Sequence, residues 1–197
     1  MNPDVGAGNV MISCEYVVAM AAYNEWMNAK LYAIAGSLPT EALALERNAF
    51  FGSIIGTLNH IVVGDTIWLK RLATHPAGHV ALDPIRELPR PDALNQFLFA
   101  NFDELLARRR MLDALIREWA ADLTEDDLSH VLSYNNMQGV LARKSFAGLL
   151  VHFFNHQTHH RGQATTLLSQ AGVDVGVTDF LARVPDAGVA QDPVANA

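Results

Sequence analysis

The sequence predicts an all-α fold, a four-helix bundle with a long connection between helices 2 and 3 and a small hairpin or ordered loop before helix 4. Three observations carry the prediction. Four stretches of about 20–30 residues place apolar side chains at the 3.6-residue period of a helix with one buried face. A segment with four prolines, residues 74–91, separates the second stretch from the third. Half of the 197 residues are hydrophobic and 18% are charged, a composition that supplies one full-sized core. We therefore expect a single domain over 1–197, with an ordered core from about 12 to 184 and loose ends.

Each element has its own signals. Residues 1–11 read as a lead-in. The first long helix runs from about Cys14 to Gly36, with Ser13 placed to cap it, and Gly36-Ser-Leu-Pro39 ends it with a permissive glycine and a residue that cannot continue the ladder. Pro39-Thr-Glu-Ala-Leu43 suggests a short helical turn. The second long helix spans about Ser53 to Ala73, and His75-Pro-Ala-Gly-His79 stops it. Residues 74–91 lack periodicity and read as a loop. Helix 3 is expected from Pro91-Asp92 to about Ala121, with Leu94, Phe97, Leu105, Leu112, Leu115 and Trp119 on one stripe. Thr124-Glu-Asp-Asp127 looks like a capped helical start. The turn-like centre of Val131 to Leu141, between apolar flanks, suggests the hairpin. Helix 4 spans about Lys144 to Gln170 and closes at Ala171-Gly172. The tail, with Gly176-Val-Thr-Asp-Phe-Leu181, is expected to pack back before fraying.

The densest chemistry lies in helix 4, where residues 152–160 hold four of the eight histidines. At about 100° per residue, His156 and His160 fall with Leu149, Phe153, Ala164 and Leu167 on the buried face, and His152 and His159 lie at its margin. A lone histidine on an apolar face is ordinarily a core residue bonded to a carbonyl or hydroxyl. A pair at i and i+4 is different, because two neutral imidazoles one turn apart can share a metal ion. The third ligand must come from another element, and His60, central on the packed side of helix 2, is the candidate. Gly56 and Gly64, one turn before and after it, serve either close helix packing or space beside a metal. Asp65 falls about 140° away and reads as a surface or supporting group. Three histidines leave one position of a tetrahedral ion open, the pattern of catalytic zinc; nickel or iron(II) also accepts imidazoles. Gln163 shares the face and suits orientation of a ligand or of bound water. Glu104 and Arg108, with Asn101, lie on the helix 3 stripe at similar depth; Glu104 and Arg108 form either an ordinary helix ion pair or helpers that grip an anionic group or polarise a metal-bound water. Helix 1 offers Asn24 and Asn28 one turn apart, which read either as further polar groups at that depth or as solvent-facing residues.

Composition narrows the function. The net charge of −7 opposes nucleic-acid binding, which needs a basic surface. A single cysteine, Cys14, allows no internal disulfide and suits a reducing cytoplasm, and burial fits it better than a nucleophilic role. No secretion signal is visible in the first residues, and no run of about 18 apolar residues suggests a membrane span.

Asn155-His156-Gln-Thr-His-His160-Arg-Gly-Gln163 with Leu167-Leu168, together with Leu58-Asn-His60-Ile61 and Asp65-x-x-Trp68-Leu on helix 2, resembles the DinB family. The likeness extends from Tyr23-Asn24 to Gly172 and Gly176-Val-Thr-Asp179. It implies that His60, His156 and His160 bind a divalent metal, and it implies a homodimer. Relatives in that family include low-molecular-weight-thiol S-transferases and a maleylpyruvate isomerase, so a small thiol is an expected co-reactant on a small-molecule substrate. Three functions compete: a metal-dependent S-transferase or hydrolase, a non-catalytic metal-stabilised bundle acting through dimerisation or a partner, and, last, a metal-free general-base hydrolase.

Overall fold

The computed structural model describes residues 12–187, and within them the chain is predominantly helical with one small two-stranded sheet. The expected loose lead-in of residues 1–11 and the extreme end of the tail lie outside the described residues. Four helices are long: α1 (Cys14–Ala35), α3 (Ile54–Leu72), α5 (Phe102–Asp122) and α7 (Phe146–Gln170). Both α1 and α3 pack against α5 and α7. Between the four lie Trp119, Tyr32, Phe146, Phe153, Phe154 and a shell of leucines and isoleucines, all essentially inaccessible to water.

The helix starts follow from capping chemistry. Ser13 accepts from the Tyr16 backbone N–H at 3.2 Å, and Ser53 accepts from that of Gly56 at 3.1 Å, each satisfying a donor that a helix leaves unpaired in its first turn. A short helix, α2 (Thr40–Ala44), follows Pro39. Thr124 and Asp127 exchange bonds in a capping box at the start of α6 (Glu125–Leu128). The hairpin is present as β1 (Val131–Asn135) and β2 (Leu141–Ser145), antiparallel, with Val131 opposite Ser145 and Asn135 opposite Leu141. Gly172, at φ 85°, ends α7 in the left-handed region that a side chain disfavours. The tail packs back as expected: Tyr23 Oη donates to the Thr178 carbonyl at 2.6 Å, and Phe180 sets its edge against the Tyr23 ring.

Several expectations need correction. Helix 3 begins at Phe102, not at 91–92, because the Asn101 side chain accepts from the backbone N–H groups of Asp103 and Glu104 and so defines a start there. Leu94 and Phe97, expected on its buried stripe, are about half exposed on irregular backbone (49% and 53%). The connection over 74–91 is not bare loop; it holds a 3-10 turn at Val80–Leu82 and α4 (Asp83–Glu87), which bury Leu82 and Ile85. Lys144 belongs to β2 and α7 begins two residues later.

Asp65 is fully buried, and so are Asn24 and Asn28. The Arg109 guanidinium hydrogen-bonds Asp65 and lies 3.0 Å from the Asp113 carboxylate, which also accepts from Asn28 Nδ2 at 2.8 Å. Arg161 on α7 reaches Asn24 Oδ1 and Gln157 Oε1. All four long helices thus place polar groups in one buried network. Burial pushes the Asp65 and Asp113 carboxyls upward, against the opposing pull of Arg109.

Candidate metal centre

His60 sits in the second turn of α3 and is 5% exposed. Its position is fixed from both sides. The preceding residue, Asn59, uses its whole amide to hold the irregular segment before α5. Nδ2 donates to the Phe99 carbonyl at 2.9 Å, while Oδ1 accepts from Leu98 and Phe99 N–H at 3.0 and 2.9 Å. So pinned, that segment presents the Leu94 carbonyl to His60 Nδ1 at 2.7 Å. A carbonyl can only accept, so His60 carries its proton on Nδ1 and turns the Nε2 lone pair inward. On the other side Phe51 stacks on the ring at 3.8 Å and 15°. Gly56 makes room for that approach, since a Cβ there would stand 2.1 Å from the Phe51 carbonyl oxygen.

On α7 the most buried residues are not the histidines but Phe153, Phe154, Gln157 and Arg161; His156 and His160 lie at the edge of that face, half-buried, and His152 and His159 are exposed. His160 Nδ1 meets Gln163 Oε1 at 2.8 Å, an N–H donating to an amide oxygen, which leaves its Nε2 bare. The His156 ring fills the space that Gly64 leaves, because a Cβ on Gly64 would stand 2.6 Å from His156 Cε1. His156 Nδ1 is buried with no hydrogen-bond partner.

The three rings converge. His60 Nε2 and His160 Nε2 are 3.1 Å apart, and one nitrogen from each of His60, His156 and His160 lies within 4.8 Å of the others. Imidazole nitrogens around a tetrahedral zinc at about 2.0–2.1 Å stand about 3.3–3.4 Å from each other. With both Nδ1 atoms protonated, the facing Nε2 atoms turn two lone pairs toward each other, an arrangement that a cation relieves. Burial, reinforced by neighbouring rings, pushes His60 down to about 4 and His156 down to about 3, and also lowers His160. Neutral imidazole is the form that ligates metal. The residues present therefore fit a divalent ion.

Of the residues that the sequence offered as helpers, Gln163 is at the site, bonded to a candidate ligand. Glu104 is exposed in the first turn of α5, and Arg108 lays its guanidinium 5.3 Å from the Phe99 ring centre; neither bonds to or stacks on the three histidines. Cys14 is half-buried, and its thiol is pushed up to about 11 by burial and by Glu125, which disfavours the thiolate at neutral pH. Asn59, Phe51 and the Leu94 carbonyl were missed by sequence reasoning. An amide beside a histidine on a strongly apolar helix was a usable signal for the first; nothing local marked the other two. A second cluster, His75, His79 and Asp127, was missed too.

Two cavities flank the centre and share Phe50. One, of ≈ 210 Å³, touches His60, Phe51 and Gln96; the other, of ≈ 290 Å³, touches Gln163, Thr57 and Arg47.

Among the described residues no helix is long and apolar enough to cross a membrane. The DinB family model matches residues 11–188. Protein DinB of Bacillus subtilis (strain 168) is 23% identical over 168 residues, a match covering 84% of this chain and 92% of the relative. No solved structure matches.

Proposed function

This chain belongs to the DinB family, and from that premise we propose that it is a four-helix bundle holding one divalent ion on His60, His156 and His160, with one coordination position open for a metal-dependent thiol S-transferase or hydrolase reaction. The observation that carries the reading is the pair of facing Nε2 lone pairs, 3.1 Å apart, with His156 beside them. Zinc suits this set first, and nickel and iron(II) accept the same imidazoles. A bound ion supplies Lewis acidity, enough to acidify a water toward about pKa 7 or to hold a small thiol as its thiolate.

The chain's own residues do the rest. Leu94 and Gln163 fix which nitrogen of His60 and His160 is offered, as groups behind metal ligands do elsewhere. Phe51 covers one face of His60 and keeps water from it. The adjoining cavities lie below the roughly 300–1,000 Å³ of drug-sized ligand pockets, room for a correspondingly small substrate or thiol. Burial and Glu125 favour the thiol form of Cys14, which fits a nucleophile supplied as a small thiol or water. Arg108 braces Phe99 and so the segment that carries Leu94, a positioning part; Glu104 lends its charge to the α5 N-terminus. A homodimer in the cytoplasm completes the proposal, the first from the family likeness and the second from the lone cysteine.

Elemental analysis of purified protein tests the site. We expect about one ion per chain to be lost in His156→Ala while the helical signal persists; full metal content in that variant rules the site out. One observation favours a second reading, a non-catalytic metal-stabilised protein. The groups bonded to the ligand rings, the Leu94 carbonyl and the Gln163 amide, do not titrate, and the titratable rings beside them, His152 and His159, are exposed and make only ring contacts with His156 and His160. Metal lost with His156→Ala, alongside a wild type inert in thiol-transfer and hydrolysis assays, selects it.

A further inference from the structure

We propose that His75, His79 and Asp127 form a second divalent-cation site, a structural one, that ties the end of α3 to α6. The three residues are buried and offer ligand atoms that lie within 4.8 Å of one another. They reach this place by separate local causes. After α3 ends at Leu72 the chain turns through His75, and Gly78, at φ 66°, reverses it so that His79 returns beside His75. Their ring centres are 5.6 Å apart. Asp127 comes from the capping box of α6, where its Oδ2 accepts from both the backbone N–H and the hydroxyl of Thr124 at 2.8 Å. Those bonds hold the carboxylate in one orientation, aimed at the histidines.

The protons are placed so that acceptors converge. His79 Nδ1–H donates to Asp122 Oδ2 at 3.1 Å, which leaves Nε2 as a lone pair. That Nε2 is buried, has no hydrogen-bond partner, and lies 3.8 Å from Asp127 Oδ2. His75 Nδ1 accepts the Ala77 N–H at 3.2 Å, so it is unprotonated, and it lies 3.8 Å from Asp127 Oδ1. The His79 lone pair thus meets no donor, the His75 one is shared with the Ala77 N–H, and both rings face one carboxylate, so a cation takes the place of that long N–H contact at His75. Ligands on a tetrahedral ion at about 2.0–2.2 Å stand about 3.3–3.6 Å apart, so the two 3.8 Å imidazole–carboxylate separations need only a small contraction, and the two rings, within 4.8 Å of each other at their ligand atoms, turn inward to complete the set. Asp122 behind His79 repeats the carboxylate–histidine–metal relay that orients ligand rings.

The donor set selects the ion. Two imidazoles with one carboxylate suit zinc and its first-row neighbours, whereas calcium and magnesium take oxygen ligands. The Phe146 and His130 rings pack against His75, and Trp119 lies against His79, which closes the inner side. A surface depression lined by Val80, Ala81, Glu118 and Asp122 adjoins the outer side, a route of entry. So enclosed, an ion here adds folding free energy rather than turning over substrate. The competing account is a proton on His79, shared between Asp122 and Asp127.

The test uses the full chain, zinc as probe, and a background with His156→Ala and His160→Ala, so that it does not depend on the three-histidine site. In that background we expect about one zinc per chain and an unfolding midpoint that rises with zinc and falls with chelator. Adding His79→Gln, or Asp127→Asn, which keeps an oxygen for the Thr124 cap, is expected to abolish both effects. His79→Gln alone is expected to lower the wild-type content by about one ion while the three-histidine site stays loaded. A double-histidine background that melts cooperatively yet takes up no zinc overturns the proposal, and so does zinc binding that survives both added substitutions.

Discussion

The hydrogen at Gly64 is as much a part of the candidate metal centre as the rings, because the His156 imidazole occupies the volume that any side chain there would need. Gly64→Ala forces the ring off its place at about 1–3 kcal/mol of strain, so zinc affinity measured by calorimetric titration should fall about tenfold or more while the fold survives. Gln163→Ala removes the acceptor that sets the His160 proton, and we expect a loss of about 10–100-fold in metal affinity. Acid supplies a third prediction. An unfolded imidazole titrates near 6.5, whereas His60 and His156 in the metal-free fold are held to about 4 and about 3. Between these values the unfolded chain binds more protons than the folded one, so stability falls as pH drops below about 6.5 and these two terms level off only near pH 3. Urea midpoints of metal-free protein should follow that slope, and His156→Gln should flatten it. The convergence of His60, His156 and His160 was legible because an i, i+4 pair on a helix face calls for a third ring from the packed side of a neighbouring helix. Asp65 was not. Its angle away from His60 suggested solvent, but every residue of α3 from Ile54 to Ile67 is buried, so no direction from that helix leads to water.

Elements were readable wherever a cap and a period agreed. Ser13, Ser53, the Thr124–Asp127 box and Gly172 all mark ends that the structure keeps. The start of α5 shows how periodicity alone misleads: Leu94 and Phe97 continue the stripe of the helix by spacing, yet Asn101 caps the helix and the residues before it run irregularly. What holds that irregular backbone is a contact about 40 positions away in sequence, the Asn59 amide, which no local pattern reveals. Asn59→Ala leaves two N–H groups and a carbonyl without their partner, and we expect a cost of about 1–3 kcal/mol in urea unfolding. Because the same segment delivers the Leu94 carbonyl to His60, the variant should also bind zinc more weakly. An Asn59→Ala protein with wild-type affinity would show that the segment does not govern the site.

At the scale of the molecule, the polar network through the core decides how the four long helices meet. Arg109 of α5 faces Asp65 of α3 and Asp113 of its own helix, with Asn28 of α1 on the same carboxylate. Arg109→Met strands two buried carboxylates and should cost about 3–5 kcal/mol, whereas replacing Asp65, Arg109 and Asp113 together by apolar residues of like volume should cost far less. Equilibrium unfolding of the single and triple variants checks both. Much of the apolar pattern of the long helices was visible in the sequence, although α3 is buried all round and the buried face of α7 includes Gln157 and Arg161 with the histidines at its edge; which charges would pair inside was not visible, because the partners come from different helices and their spacing carries no mark. One junction has a mechanical result. Ser145 is both the last residue of β2 and the cap of α7, and the Phe146 N–H bonds the His130 carbonyl at the foot of the hairpin. With no slack there, the hairpin is a handle on α7: whatever tilts it applies torque to the rod that carries His156 and His160. A flexible spacer inserted after Ser145 would disconnect the handle.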